Sequence, residues 1–256
     1  KLEKLGVEAV SLDGLADDAG ARLVENTPAV GWNGVEAAFE ALERFSSGRL
    51  QAGADPINVL VLGTGQVGRH AVDAATKYGS RERFRRWDAE GRPPVLVTAV
   101  GRAALRDEGR VRRLFHDCDV LVDATQRDDP SVPLIHNAQL GELPQHAVIC
   151  DLVVDPYVLA AHPRTVRSVE GIPKGDLDQW IFAVNDAKWS TTVPPSIPQS
   201  FRRPVASCYS WPGVHPRECM ERYGRQLQPL LERLLRLGGA KRLEAGGDGV
   251  QRALWR

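Results

Sequence analysis

Three glycines at a fixed spacing are the residues whose arrangement most clearly implies chemistry. Gly63-Thr64-Gly65-Gln66-Val67-Gly68 reads G-x-G-x-x-G. It follows a short run, Ile57 to Leu62, that is apolar apart from Asn58. It opens a helix-like stretch, Gln66 to Tyr78, with Gly68, Ala71, Ala74 and Ala75 on one side and Gly79 as a stop. In a strand–turn–helix unit each glycine has a distinct task. Gly63 permits the tight turn, Gly65 lets a pyrophosphate approach the backbone, and Gly68 lets helix and strand pack closely. Free N–H groups and the positive end of the helix dipole then hold the phosphates. The pattern predicts a dinucleotide cradled by Gly63, Thr64, Gly65, Gln66, Val67 and Gly68. The competing reading is a glycine turn in a parallel α/β protein that holds no nucleotide.

The next strand should end in a carboxylate if a ribose 2′-hydroxyl is to be gripped. It ends instead Thr98-Ala-Val-Gly101-Arg102. A guanidinium suits a 2′-phosphate, so Arg102 favours NADP over NAD as cofactor. The alternative is that Arg102 is a solvated residue at a helix start. Asp88 precedes the strand and carries little weight, and the basic run Arg81 to Arg86 reads as a solvated loop.

Composition narrows the field. The chain has 256 residues, with 33 Lys and Arg against 33 Asp and Glu, so its formal net charge is zero. That argues against a polybasic nucleic-acid binder and against an acidic tail. No apolar run reaches the roughly 18 residues of a membrane span, and no export signal is visible. Cys118, Cys150, Cys208 and Cys219 are scattered, as are the six histidines. Neither a disulfide framework nor a metal site is expected, and a reducing, cytoplasmic setting fits. The chain opens at Lys1 rather than at a methionine, so a processed product or a fragment is expected, its first half lying elsewhere.

The elements that must position the glycines alternate between strand and helix. A helix is predicted over 10–26, and a second is capped at Asn33, with Glu36 three positions on and Val35, Ala38, Phe39, Leu42 and Phe45 on one face. After the fingerprint come a basic loop (Arg81 to Arg92), a strand (Val95 to Val100) and a polar helix (Arg102 to Phe115). Two strands follow, Asp119 to Asp123 and Ala147 to Val154, with a short helix Asn137 to Leu143 between them. Pro156 to Pro204 reads as loop, and Val205 to Tyr209 as a last strand. Pro216 to Leu237 reads as a long helix, kinked at Pro229 and stopped by Gly238-Gly239. Its stripe of Met220, Tyr223, Leu227, Leu230, Leu231 and Leu234 is expected to be core. The order implies α/β architecture: a doubly wound parallel sheet of Rossmann type.

The order of parts resembles the nucleotide domain of the alanine dehydrogenase and nicotinamide nucleotide transhydrogenase family. A helix pair (Leu15 to Phe45) precedes Val59-Leu-Val-Leu-Gly63-Thr-Gly65-Gln-Val-Gly68. Cys118-Asp-Val-Leu-Val-Asp123-Ala is similar to the family's strand beside the nicotinamide, which implies cofactor contacts at Ala124 and Thr125. Ala147-Val-Ile-Cys-Asp151-Leu-Val-Val-Asp155 resembles the strand that ends in the family's active-site aspartate, which implies a catalytic Asp155. Pro212-Gly-Val-His-Pro216-Arg217 is close to the family's Pro-Gly-x-x-Pro-Arg. His215 within it is a second catalytic candidate, because an imidazole titrates near neutrality. The chain departs from the family where Pro156-Tyr157 replaces a Gly-rich stretch, and Gly171 to Trp189 has no counterpart. The amino-terminal part of the family's substrate domain is absent.

The resemblance implies an NAD(P)-dependent oxidoreductase acting on an amino acid or oxo acid. Alternatives are a saccharopine- or opine-type dehydrogenase and a nucleotide-binding module without chemistry. A methyltransferase is disfavoured by Arg102. The expected layout is a nucleotide domain over 10–204, with remnants of a substrate domain at 1–9 and 205–256. A homo-oligomer, or a partner chain completing the substrate domain, is expected.

Overall fold

The computed structural model describes residues 3–6, 9–239 and 254–255. They divide into two compact units, residues 27–214 and residues 1–26 with 215–256. Against the expected 10–204, residues 10–26 fall in the second unit and 205–214 in the first.

The larger unit is built on a six-stranded sheet in the order β3-β2-β4-β5-β7-β6. Its strands are β2 (Ile57–Leu62), β3 (Val95–Val100), β4 (Val120–Asp123), β5 (Val148–Asp151), β6 (Ile181–Phe182) and β7 (Val205–Ser207). All neighbours run parallel except β6, which pairs antiparallel with β7. Parallel strands covered on both faces need apolar side chains on both, hence the near-continuous runs in β2, β4 and β5. Val59, Val61, Val120, Val122, Val148 and Cys150 pack on one side with α1 (Thr27–Phe45) and α2 (Gln66–Ala75). Leu60, Leu62, Leu121 and Ile149 pack on the other side with Val111, Phe115, Leu140 and Trp189. Each such residue is worth about 1.5–3 kcal/mol of burial. The expected doubly wound α/β class is what the sheet forms.

Several local expectations shift. Helix α1 begins at Thr27, so Asn33 lies mid-helix, where its amide donates to the Trp211 carbonyl at 2.8 Å. Gly31, which reads as a poor helix residue, sits where any Cβ would overlap the backbone of Ala71 in α2. The stretch Arg81 to Ala89 is a helix, α3, rather than a loop; Ser80 caps it and Trp87 is buried 5.0 Å from the Tyr78 ring. The polar helix breaks at Asp107, whose carboxylate caps α4 (Glu108–His116) by accepting from the Arg110 N–H at 2.6 Å. The loop over 156–204 carries only β6 and the short α5 (Lys188–Thr192).

In the second unit the predicted 10–26 helix is absent. Asp17 Oδ1 accepts from the Ala19 and Ala21 amides at 2.9 and 2.8 Å, and that local turn competes with a helix ladder. Helix α6 runs Pro216–Leu237 as expected, past Pro229, and ends at Gly238 in the left-handed conformation. Tyr223, Leu227, Leu230 and Leu234 pack on Leu15 and Val24, whereas Met220 and Leu231 are exposed, so the stripe is only partly core. The short strands β1 (Ala9–Val10) and β8 (Leu254–Trp255) pair antiparallel. Among the described residues, no helix is long and apolar enough to cross a membrane.

At the amino-terminal end of β4, Asp119 is buried among donors. Arg49 grips it with Nε at 2.7 Å and Nη2 at 2.9 Å, the Asn58 amide donates at 2.8 Å, and His146 Nε2 lies 2.7 Å away. Burial alone would raise its pKa, but hydrogen bonds from Arg49, Asn58 and His146 outweigh burial and hold it low. A carboxyl held low in the folded state stabilises above its unfolded pKa of about 3.9, and that contribution disappears as pH falls through the folded value. Asp119→Asn should cost about 1.5–3 kcal/mol at neutral pH and flatten the acid limb of the stability profile below about pH 5. Denaturant titrations across that range check this, and a mutant curve parallel to the wild type would refute it.

Candidate functional site

The fingerprint folds as a turn between β2 and α2, with Gly65 at the N-cap of α2. Gly63 has a φ of 103°, and a Cβ there would overlap the Ala124 carbonyl. A Cβ on Gly68 would overlap the Gly63 carbonyl. The folded chain therefore needs these two glycines for its own packing. Gly65 differs. Its φ of −72° suits any residue, and nothing lies within 4 Å of where its Cβ would stand. Space is left open above the helix N-terminus, where unpaired amides favour an anion.

That space belongs to a cavity of about 700 Å³ across the carboxyl ends of β2, β3, β4 and β5. Gly63, Thr64, Gly65, Gln66 and Val67 line its centre. Gly101, Arg102 and Ala103 form one end, Ala124, Thr125 and Gln126 lie on the β4 side, and Leu152 and Val153 follow β5. Gly68 lies behind the cradle rather than on its surface. Arg102 is not a free cation: its Nη1 donates to the Gln126 carbonyl at 2.9 Å and its Nη2 meets Asp128 Oδ2 at 2.9 Å. Both side chains are largely exposed, so the pair is worth at most about 1 kcal/mol and yields to a better anion.

Beside the cavity the strand ends carry charge. Asp123, Asp151 and Ser207 stand in register on β4, β5 and β7. Buried Arg167 joins Asp151, and its Nη2 donates to Ser207 Oγ at 2.9 Å. Burial pushes the Arg167 pKa down to about 9. The Asp123 carboxyl bonds the Thr125 hydroxyl at 2.7 Å through Oδ1, while its buried Oδ2 has no partner. Burial raises its pKa against hydrogen bonds from Thr125 and Ser168.

Asp155 follows a tight bend. Asp151 Oδ1 accepts from the amides of Val153 and Val154, and Val154 takes a φ of 54°, a costly value for a β-branched residue. Asp155 itself meets Arg127 Nη2 at 2.6 Å, and its carbonyl accepts from Arg167 Nη1 at 3.0 Å. Arg127 also donates to the carbonyls of Val132 and Val166, both at 2.7 Å.

The fold thus gathers Gly63, Thr64, Gly65, Gln66, Val67, Arg102, Ala124 and Thr125 around one cavity, with Gly68 beneath. Asp155 lies two residues past the Val153 wall. His215 immediately precedes α6, in the other unit. Sequence reasoning missed Arg127, Arg167 and Ser207. Their side-chain partners lie 16 to 56 positions away, and no local spacing marks them.

No protein-family model matches the chain, and no curated protein matches it in sequence. Among solved structures, an L-alanine dehydrogenase superposes with a TM-score of 0.66 at 18% identity, over 99% of this chain and 65% of that one. The chain thus spans a little under two thirds of that enzyme. A Salmonella D-lactate dehydrogenase scores 0.33 at 15% identity, over 58% of this chain and 44% of that one. A glyoxylate reductase from Paecilomyes thermophila scores 0.30 at 13% identity, over 59% and 44%. The fold likeness rests on the alanine dehydrogenase.

The three glycines should separate under substitution. Gly63→Ala and Gly68→Ala each overpack backbone, at about 1–3 kcal/mol, and should lower Tm by several degrees. Gly65→Ala should lower Tm by clearly less, because it loses only the N-cap preference for Gly over Ala and overlaps nothing. Scanning calorimetry of the three variants checks this, and a Gly65→Ala protein as unstable as the other two would refute the open-cradle assignment.

Proposed function

We propose that this chain is the nucleotide-binding portion of an oxidoreductase that uses NADP or NAD and acts on an amino acid or its oxo acid. The observation that carries the reading is Gly65, a glycine the fold does not need, standing at a helix N-terminus over an open cavity. Residues 63–67 would hold the diphosphate through backbone amides. Gly101 and Arg102 would face the adenosine, with Arg102 leaving Asp128 for a 2′-phosphate. Ala124, Thr125, Leu152 and Val153 would flank the nicotinamide. A nicotinamide bound there accepts or donates a hydride, and the protein supplies position and electrostatics.

The amino-acid reading leans on Asp155, at the strand end where ligands of such sheets bind. Its pairing with Arg127 aims it by a fixed partner, suited to orienting a substrate amine or a water. His215 is the acid–base candidate carried by the second unit. A saccharopine- or opine-type condensation would use the same groups. The Arg127 pairing also favours a second reading, a nucleotide-holding module in which Asp155 is structural. A homo-oligomer, or a second chain completing a substrate domain, belongs to the proposal.

Fluorescence titration with NADH and NADPH tests the cradle. Both should bind the wild type, and Gly65→Val should weaken both by at least about tenfold, one charge-assisted hydrogen bond or more. Arg102→Ala should weaken NADPH more than NADH; equal losses would leave the guanidinium to Asp128. No binding of either by the wild type would remove the reading.

Turnover separates the enzyme from the module. With alanine, pyruvate, glutamate and 2-oxoglutarate as trial substrates, Asp155→Asn should keep dinucleotide affinity and lower turnover by about 10²-fold or more, the scale of one acid–base group. Unchanged turnover would make Asp155 structural, and a wild type that binds the dinucleotide without turnover would favour the module.

A further inference from the structure

We propose that a second cavity, of about 460 Å³, is a carboxylate subsite. It takes the distal carboxylate of a dicarboxylic amino or oxo acid, with Lys174 and Lys188 as its counter-charges. Naming that ligand as the substrate rests on the oxidoreductase reading above.

Position is the first argument. Tyr157 follows the Asp155 bend and Tyr209 follows β7, so this cavity opens at the same carboxyl edge of the sheet as the dinucleotide cavity. One stretch of chain joins the two. Val153 lines the first and Pro156 the second. Three residues span at most roughly 11 Å. Asp155 lies on that stretch. A small diacid held at this edge near Asp155 would turn its far carboxylate toward the second cavity.

Charge is the second argument. Two ammoniums, Lys174 and Lys188, face one carboxylate, Asp176, in the lining, which leaves one positive charge over. Lys188 Nζ stands 3.6 Å from Asp176 Oδ2, beyond a good hydrogen bond. Among the described residues Lys174 pairs with no carboxylate; its ammonium lies 5.8 Å from the centre of the Tyr209 ring. The wall is built rather than incidental: the Lys174 amide donates to Thr192 Oγ1 at 3.3 Å, and the Asp176 carboxylate accepts from the Gln179 amide at 3.0 Å. A partly walled, aromatic-lined space with one uncompensated positive charge suits one carboxylate. A cavity of this size holds a small acid.

Isothermal calorimetry on the whole chain, free and saturated with NADH, tests this with three probes: 2-oxoglutarate, pyruvate and inorganic phosphate. The wild type should bind 2-oxoglutarate, and Lys174→Gln and Lys188→Gln should each weaken it by at least about tenfold. Asp176→Asn should tighten it, a change of sign that damage to the fold does not produce. Pyruvate should bind more weakly and ignore the lysines, and NADH affinity should be the same in all variants. Absence of 2-oxoglutarate binding overturns the proposal, as does binding indifferent to the lysines. Equal lysine dependence for pyruvate or phosphate does so too, because the site would then hold an α-carboxylate or any small anion. If neither NADH nor NADPH binds while lysine-dependent 2-oxoglutarate binding persists, the oxidoreductase reading falls and the subsite stands.

Discussion

A single buried guanidinium fixes the geometry on which the site depends. Arg167 is 1% exposed and reaches Asp151 on β5, Ser207 on β7 and the Asp155 carbonyl at the bend beyond β5. Taking a charge out of water is costly, and breaking such a pair by removing one partner costs about 3–5 kcal/mol. The pair is therefore made in the native state or the native state is lost. Because Arg167 lies on a stretch without helix or strand, the ion pair does for that stretch what a ladder does for a strand. It sets Val166, whose carbonyl accepts from Arg127, and Ser168, whose hydroxyl lies 3.3 Å from that of Thr125. The wall of the cavity above the glycine turn and the bearing of Asp155 follow from one contact.

How much of this is written locally in the chain varies by element. β2 is legible to the residue, because a strand buried on both faces has no polar alternative, and β3, an edge strand with alternate residues exposed, is legible from its β-branched run between proline and glycine. Helix α6 is legible for a similar reason, with Pro at its start and Gly at its end. Helix α3 is not. Its arginines hide the pair Phe84 and Trp87, and only the burial of Trp87 against Tyr78 and Phe39 reveals which face matters. The start of α1 is hidden by Gly31 and Gly34. They look like interruptions but are the price of a close crossing with α2 and with the Leu152 side chain.

The site divides along the same line. The glycine turn is legible because backbone sets its shape, so glycine spacing alone declares it. Arg102 is legible as a residue but not as a state, since Asp128 lies 26 positions on and only the fold brings the two together. Asp155 is legible by resemblance, whereas its partner Arg127 is one arginine among many in the sequence. The lysine cavity is illegible: Lys174 and Lys188 are 14 residues apart in a segment with no periodicity, and they converge only because that segment folds over the end of β7.

The two ends of β4 differ in how far the protein answers its own charges. At the amino end Asp119 meets Arg49, His146 and the Asn58 amide, and every strong acceptor position is answered from within the protein. At the carboxyl end Asp123 is equally buried, yet one of its oxygens has no partner and burial drives the carboxyl toward its neutral form. The same strand, four residues long, thus ends in a closed electrostatic account on one side and an open one on the other. Parallel strands make this asymmetry cumulative, because β2, β3, β4 and β5 all deliver their carboxyl ends to one edge. Unpaired amides at Gly65, an incompletely bonded Asp123, a displaceable Arg102 and two under-neutralised lysines all stand there. An edge whose own groups leave charge unanswered is the edge where a charged ligand gains most from arriving.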